Sequence, residues 1–233
     1  FLPWARLLIE CAGVSEAASV LDVASGTGVV ARCALDRVGP RGKVVSSDVS
    51  PAMLIFVTSV APDVETLLAP ADDLGAAAQF DVVLCQQGLQ FMADPVAAMA
   101  SMCGALRPGG VLALSVWAAG CPLEPFDVYG QVLQAEGVPE PFPGAYTYSF
   151  CRAPEEITDL FDSAGMSDVE VSVETLEVRW PSIATVVAGV AGTPYGPVIA
   201  ALSADGQERI ATRLRERLRT SHPSVAVVAR GRS

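Results

Sequence analysis

The sequence contains a single lysine, Lys43, against fourteen arginines, and a single histidine, His222, in 233 residues. With 26 acidic side chains the formal charge is −11, so most of the surface repels a polyanion and no nucleic-acid partner is expected. The one basic cluster, Arg209, Arg213, Arg215, Arg217 and Arg219, shares a helical stretch with Ile210, Leu214 and Leu218; that spacing reads as a solvated face over an apolar stripe. No apolar run reaches the roughly 18 residues a membrane helix needs. No charged leader followed by an apolar block opens the chain, so no secretory signal is read there. Phe1 instead begins inside an amphipathic pattern, and a leading segment is expected before it. Six cysteines lie far apart without a C-x-x-C pair, which reads as reduced thiols in a cytoplasmic protein. No cluster of histidines and carboxylates suggests a metal. What is abundant is apolar: 51% of the residues are hydrophobic and mean hydropathy is +0.42, enough for a sizeable core in one α/β domain with insertions.

Residues 18–23 read as a buried strand, followed after a glycine turn by a helix over 27–38. A second strand over 43–47 ends at Asp48, after which Ser50 offers an N-cap and Pro51 a first helical position for a helix over 52–61. A third strand is expected at 64–68, and a fourth at 80–85 is apolar enough to be covered on both faces. Asp94-Pro95 starts a helix reaching about Leu106, the residues 107–110 form a turn, and a fifth strand follows over 111–117. This alternation implies a parallel, doubly wound sheet with right-handed crossovers. The remainder is looser. A helix is expected near 126–136, another opening at Pro154, a strand over 169–178, one helical stretch over 182–219 and a last strand over 225–229. Almost no turn separates the charged helix from the last strand at His222-Pro223, which suggests residues missing from the numbering there.

The first strand and its turn, VLDVASGTG over 20–28, carry the functional argument. Gly26 and Gly28 let the backbone approach a ligand closely, and the helix that follows presents unpaired N–H groups. Gly26-x-Gly28-x-x-Ala31 also satisfies the dinucleotide fingerprint, with Asp48 twenty residues beyond Gly28 as a ribose-binding acid. These elements alone therefore admit both an NAD-dependent oxidoreductase and a methyltransferase. Asp22, four residues before Gly26, favours an ammonium and a sulfonium over a pyrophosphate. Asp72 and Asp73 after the third strand offer acceptors for an adenine amine.

Together, VLDVASGTG, SSDVSPAML, FDVVLCQQGLQF and LRPGG over 20–116 resemble a class I S-adenosylmethionine-dependent methyltransferase of the ubiquinone/menaquinone-biosynthesis type, in its bacterial small-molecule branch. The resemblance implies a Rossmann-like, seven-stranded, mostly parallel sheet with the last strand antiparallel, in three αβα layers with helical substrate-side insertions. It implies one domain over 1–233, with a cofactor-binding core at 18–117 and insertions at 118–152 and 182–220. Position by position, Asp22, Ala24, Gly26 and Gly28 match the loop around the methionine moiety. Asp48 matches the ribose acid, Val49 and Met53 the residues flanking adenine, and Ala71 and Asp72 the contacts to its edge, although Pro70 stands where the family often has an aspartate. Gln86 and Gln87 match positions near the methionine end and the acceptor.

What the resemblance implies is methyl transfer from S-adenosylmethionine, with S-adenosylhomocysteine as product, to a small lipophilic or aromatic acceptor. Such transfer is an in-line displacement in which alignment supplies much of the catalysis, and metal independence is expected. Glu124, Asp127, Tyr129, Tyr146 and Tyr148 are the acid–base candidates beyond the core. An aromatic pocket of Trp117, Phe126, Tyr129, Phe142, Tyr146, Tyr148 and Phe150 would suit a flat acceptor, each of these rings being equally suited to core packing. A non-methylating user of the cofactor, a cyclase or a regulator, is the main alternative, and a homodimer is one arrangement left open.

Overall fold

Every residue of the first strand after Ser19 is buried, as a strand covered on both faces must be. The computed structural model describes residues 1–191 and 193–233. In chain order its elements are α1 (Leu2–Cys11), β1 (Ser19–Val23), α2 (Val29–Val38), β2 (Lys43–Asp48), α3 (Pro51–Val60), β3 (Glu65–Leu68), β4 (Phe80–Gln86), α4 (Pro95–Ala105) and β5 (Leu106–Trp117). There follow α5 (Phe126–Ala135), α6 (Pro154–Ser163), β6 (Ser167–Arg179), α7 (Ile183–Ala191), α8 (Tyr195–Ala200), α9 (Ala204–Arg217) and β7 (Ser221–Arg232).

The strands form one sheet in the order β3-β2-β1-β4-β5-β7-β6. The pairs β1–β2, β1–β4, β2–β3 and β4–β5 are parallel, and β7 runs antiparallel to β5. This is the expected Rossmann-like, doubly wound α/β sheet of seven strands with flanking helices and a reversed last strand. β3 lies at one edge of the sheet: Glu65, Thr66 and Leu68 are exposed and only Leu67 is half-buried.

The helices follow their local signals. α2 buries Val30, Ala31, Ala34 and Val38, one stripe at helical spacing. α3 and α4 each begin at a proline, whose fixed φ and missing N–H suit a first helical position. Ser50 accepts the Met53 N–H at 3.5 Å and Asp94 accepts the Ala97 N–H at 2.9 Å.

Three expectations change. The LRPGG segment is not a turn before a strand but the first part of β5: Leu106 pairs with Phe80, the register shifts, and Val111 pairs with Val82. The irregularity absorbs the proline and the glycines, as a bulge in a ladder does. The helical stretch after Ser182 is three helices, because Pro194 and Ser203 start new ones. β7 spans twelve residues rather than five, and residues 218–220 link it to α9.

The chain divides into two compact units: residues 1–118, 152–174 and 226–233, and residues 119–151 and 175–225. The first holds α1 to β5 and α6. The second is helical, with a core of Val128, Tyr129, Leu133, Val186, Tyr195 and Ile210 among others. Arg209 and Arg213 of α9 pair with Glu136, and Arg219 just beyond it pairs with Glu124, while Ile210 and Leu214 of α9 are buried.

Candidate cofactor site

Between β1 and α2 the backbone turns through three left-handed residues, Ala24 (φ 54°), Gly26 (φ 52°) and Gly28 (φ 69°). Gly28 has a second constraint, since a Cβ there would stand 2.9 Å from a methyl of Val57. The turn is held to the neighbouring strand by the Ser25 N–H donating to the Ser47 carbonyl at 3.0 Å. Beside it the Gly26 N–H donates to Asp48 Oδ2 at 2.9 Å, while Asp48 Oδ1 accepts the Ser50 N–H at 2.9 Å. Both carboxylate oxygens thus face backbone donors yet keep lone pairs for further donors. An acid fixed this way at the end of β2 suits a pair of ribose hydroxyls.

Asp22 lies beneath the turn, 1% exposed, and its Oδ2 accepts the Ala31 N–H from the first turn of α2 at 3.0 Å. Burial pushes its carboxyl up to about 8, the Ala31 N–H pulls it down, and the charge of Asp48 pushes it up again. A cation beside it reverses that balance.

A cavity of about 310 Å³ opens at the carboxyl ends of these strands, lined by Ala24, Asp48, Val49, Ala71, Asp72 and Phe91 among others. Ligands of open α/β sheets bind in this position. Val49 is 67% and Phe91 52% exposed, two apolar side chains at its rim. Asp72 is exposed. Met53 contributes its backbone N–H to the Ser50 cap and does not line the cavity. Gly88, Phe91, Met92 and Asp94 do line it; the first three lie in or just after the FDVVLCQQGLQF motif, beside the two glutamines that the resemblance marks there.

After β4, Gln87 takes the left-handed conformation (φ 54°) and its N–H donates to the Ser115 carbonyl at 2.8 Å. Gly88 packs on the glycine turn so closely that a Cβ would lie 2.7 Å from that of Ala24. Gln90 reaches back to β5, its Oε1 accepting the Trp117 N–H at 3.1 Å.

The tyrosine candidates belong to the second unit. Tyr129 is 1% exposed in its core, and the Tyr146 hydroxyl donates to the carbonyls of Val138 and Pro139. Burial pushes Tyr129 up to about 12; burial and then Asp127 push Tyr148 up to about 12. Neither phenol sits near the range in which a general base works at neutral pH. The expected aromatic pocket is divided likewise. Phe126, Tyr129 and Phe142 pack around Tyr195 in the second unit, whereas Trp117 packs on Phe1 and Trp4 in the first. Among the described residues no group of histidines, cysteines and carboxylates could hold a metal, and no helix is long and apolar enough to cross a membrane.

Residues 21–114 match a family model described as a methyltransferase domain. The chain is 36% identical over 136 residues to a ubiquinone/menaquinone biosynthesis C-methyltransferase UbiE of Ectopseudomonas mendocina, covering 54% of this chain and 53% of that protein. It is 37% identical over 120 residues to the protein of the same name from Idiomarina loihiensis, covering 46% and 45%. The chain thus spans about half the length of the curated relatives it matches. Among solved structures it resembles the YcgJ protein of Bacillus subtilis, with a TM-score of 0.64, 16% identity and coverage of 98% and 97%. It also resembles Haemonchus contortus phosphoethanolamine N-methyltransferase 2 in complex with S-adenosyl-L-methionine, with a TM-score of 0.63, 16% identity and coverage of 98% and 52%. At these identities the structural likeness concerns the fold.

Proposed function

We propose that this chain, whose residues 21–114 match a methyltransferase-domain model, is a class I enzyme that transfers a methyl group from S-adenosylmethionine to a small lipophilic or aromatic acceptor, without a metal. The observation that carries the reading is the pairing of two acids around one glycine turn. Asp48 at the cavity holds the Gly26 N–H, and Asp22 is buried beneath the same turn on the Ala31 N–H.

The residues suit the donor. Asp48 would take the ribose hydroxyls, Val49 and Phe91 would flank the adenine, and Ala71 and Asp72 would meet its edge. The left-handed turn from Ala24 to Gly28 would pass closely under the methionine part. Asp22 favours a cation there, which a sulfonium and an ammonium supply and a pyrophosphate does not. When bound, the donor supplies an electrophilic methyl group. The chain's contribution is to hold it and the acceptor in line and to exclude water. The curated relatives are named as C-methyltransferases of quinone biosynthesis, so a quinone-type ring heads the acceptors to try.

Calorimetry with S-adenosylhomocysteine and with NAD tests the cofactor. We expect micromolar binding of the first and none of the second; the reverse would identify an oxidoreductase. Turnover of labelled S-adenosylmethionine with phenolic and quinol-type acceptors then separates a methyltransferase from a protein that binds the cofactor without methylating.

A further inference from the structure

Several polar side-chain atoms of the first unit are buried without a hydrogen-bond partner at one place, where β4 and β5 end. They are Gln86 Oε1, both amide atoms of Gln87, Gln90 Nε2 and Ser115 Oγ. Gln87 is 8%, Gln90 6% and Ser115 1% exposed. The topology holds them together. Gln86 stands opposite Ser115 in the β4–β5 register, the Gln87 N–H is bonded to the Ser115 carbonyl, and Gln90 is bonded to Trp117 two residues further along β5.

Buried amides are normally paired, because an unpaired one has lost its water for nothing. Methionine or leucine would fill the same space at Gln87 without that loss, and Gln87 stands in a left-handed conformation as well, uncommon for a residue with a side chain. A patch of this kind is expected where the missing partner is a ligand.

Its position names the ligand. The sheet order β3-β2-β1-β4-β5 sets Ala71 and Asp72 after β3, Asp48 at β2, the glycine turn at β1 and the glutamines at β4. A donor with its adenosine at Asp48 therefore extends over β1 toward β4, and what lies beyond its methyl end meets β4 and β5. Gly88 against Ala24 places Gln87 directly beside the turn.

We propose that Gln87, Gln90 and Ser115 form the seat for an uncharged oxygen of the methyl acceptor, a hydroxyl or a carbonyl; this rests on the methyl-donor reading given above. Gln87 offers one donor and one acceptor function, Gln90 a donor through Nε2, and Ser115 either. That set matches a hydroxyl. All three groups are neutral, so a carboxylate or an ammonium would be buried there without a countercharge from them. Carboxamides do not accept protons in this range, so these are binding groups that set specificity and not a general base.

Equilibrium dialysis of the full chain loaded with S-adenosylhomocysteine, against 2-naphthol, naphthalene and 2-naphthoate, tests the seat. 2-Naphthol is expected to bind about tenfold more tightly than either of the others, the order of one or two satisfied hydrogen bonds. Ser115→Ala and Gln87→Met should bring the naphthol-to-naphthalene ratio toward one. Gln90→Glu retains an oxygen for the Trp117 N–H while removing the donor, and should lower the naphthol-to-naphthalene ratio with the affinity for S-adenosylhomocysteine kept within about twofold. Absence of a naphthol preference in the unaltered chain, or its persistence in all three variants, overturns the seat alone. Loss of S-adenosylhomocysteine binding in both Gln90→Glu and Ser115→Ala also overturns it, by assigning these groups to the cofactor or the fold. An unaltered chain that fails to bind S-adenosylhomocysteine overturns the donor reading, and the seat with it.

Discussion

Asp22 and Asp48 are both held by backbone N–H groups, and their different burial gives them different work. Asp48, at the cavity, is the acid whose removal should show in binding. Asp48→Ala deletes a charged acceptor for two hydroxyls, each bond to a charged group being worth about 1.5–3 kcal/mol, so the Kd for S-adenosylhomocysteine should rise at least about tenfold by calorimetry. An unchanged Kd would remove Asp48 from the ribose site. Asp22, raised to about 8 in the folded chain from an ordinary carboxylate value of 3.8, keeps a proton that the unfolded chain gives up. The folded state is therefore favoured by this group in acid, and the advantage is lost as pH climbs from about 4 to about 8, at up to about 1.4 kcal/mol per pH unit. Between pH 6 and 8 the melting temperature of the ligand-free chain should fall, and Asp22→Asn should flatten that slope; an equal slope in the variant would mean that other groups set it. Both acids were legible in the sequence because each stands at a motif interval from the glycines, Asp22 four residues before Gly26 and Asp48 twenty beyond Gly28. Gln90 was not, because its partner is the backbone of Trp117, 27 residues away, and only the folded β4–β5 pair brings them together.

At the scale of elements, the caps separate a good signal from a merely present one. Ser50 and Asp94 both precede a helix-starting proline, yet Asp94 accepts its N–H at 2.9 Å and Ser50 at 3.5 Å. The longer contact is weak by ordinary criteria. Asp94→Ala should cost about 1 kcal/mol and Ser50→Ala markedly less, measured by urea denaturation; equal losses would show that the caps act through something other than these bonds. Strands β1, β2 and β4 were legible to within a residue or so because each is a short apolar run bounded by a turn signal. The errors lie where local signals conflict with pairing. Arg107 to Gly110 carries strong turn residues, but the ladder with β4 resumes at Val111 and takes the segment into β5. After Ser182, apolar and charged stretches each have helical spacing, and only the breaks at Pro194 and Ser203 divide them.

For the whole molecule, the two units differ in how far motif and topology constrain them. Each residue proposed to hold the donor lies in the first unit, where motif and topology constrain one another. The second unit carries aromatic side chains whose composition alone suggested a pocket, and several of them pack instead around Tyr195, itself 1% exposed with its hydroxyl donating to the Ala145 carbonyl at 3.2 Å. Tyr195→Ala should destabilise that unit by about 3–5 kcal/mol, as large-to-small changes in a core do. Under native conditions the variant's affinity for S-adenosylhomocysteine should stay within about twofold. A parallel loss of cofactor affinity would show that the two units are energetically inseparable.

The central place of β1 has a consequence for how the chain acquires its site. Val20 pairs with Val44 on one side and with Val82 on the other, and Val82 in turn with Val111. Parallel partners so distant in sequence must close large loops before any contact rewards them, which makes such sheets slow to form. The glycine turn is encoded within nine residues, but the groove around it exists only once four strands have met in register. Recovery of cofactor binding during refolding should therefore lag behind recovery of helix, and a fragment ending before β4 should bind nothing.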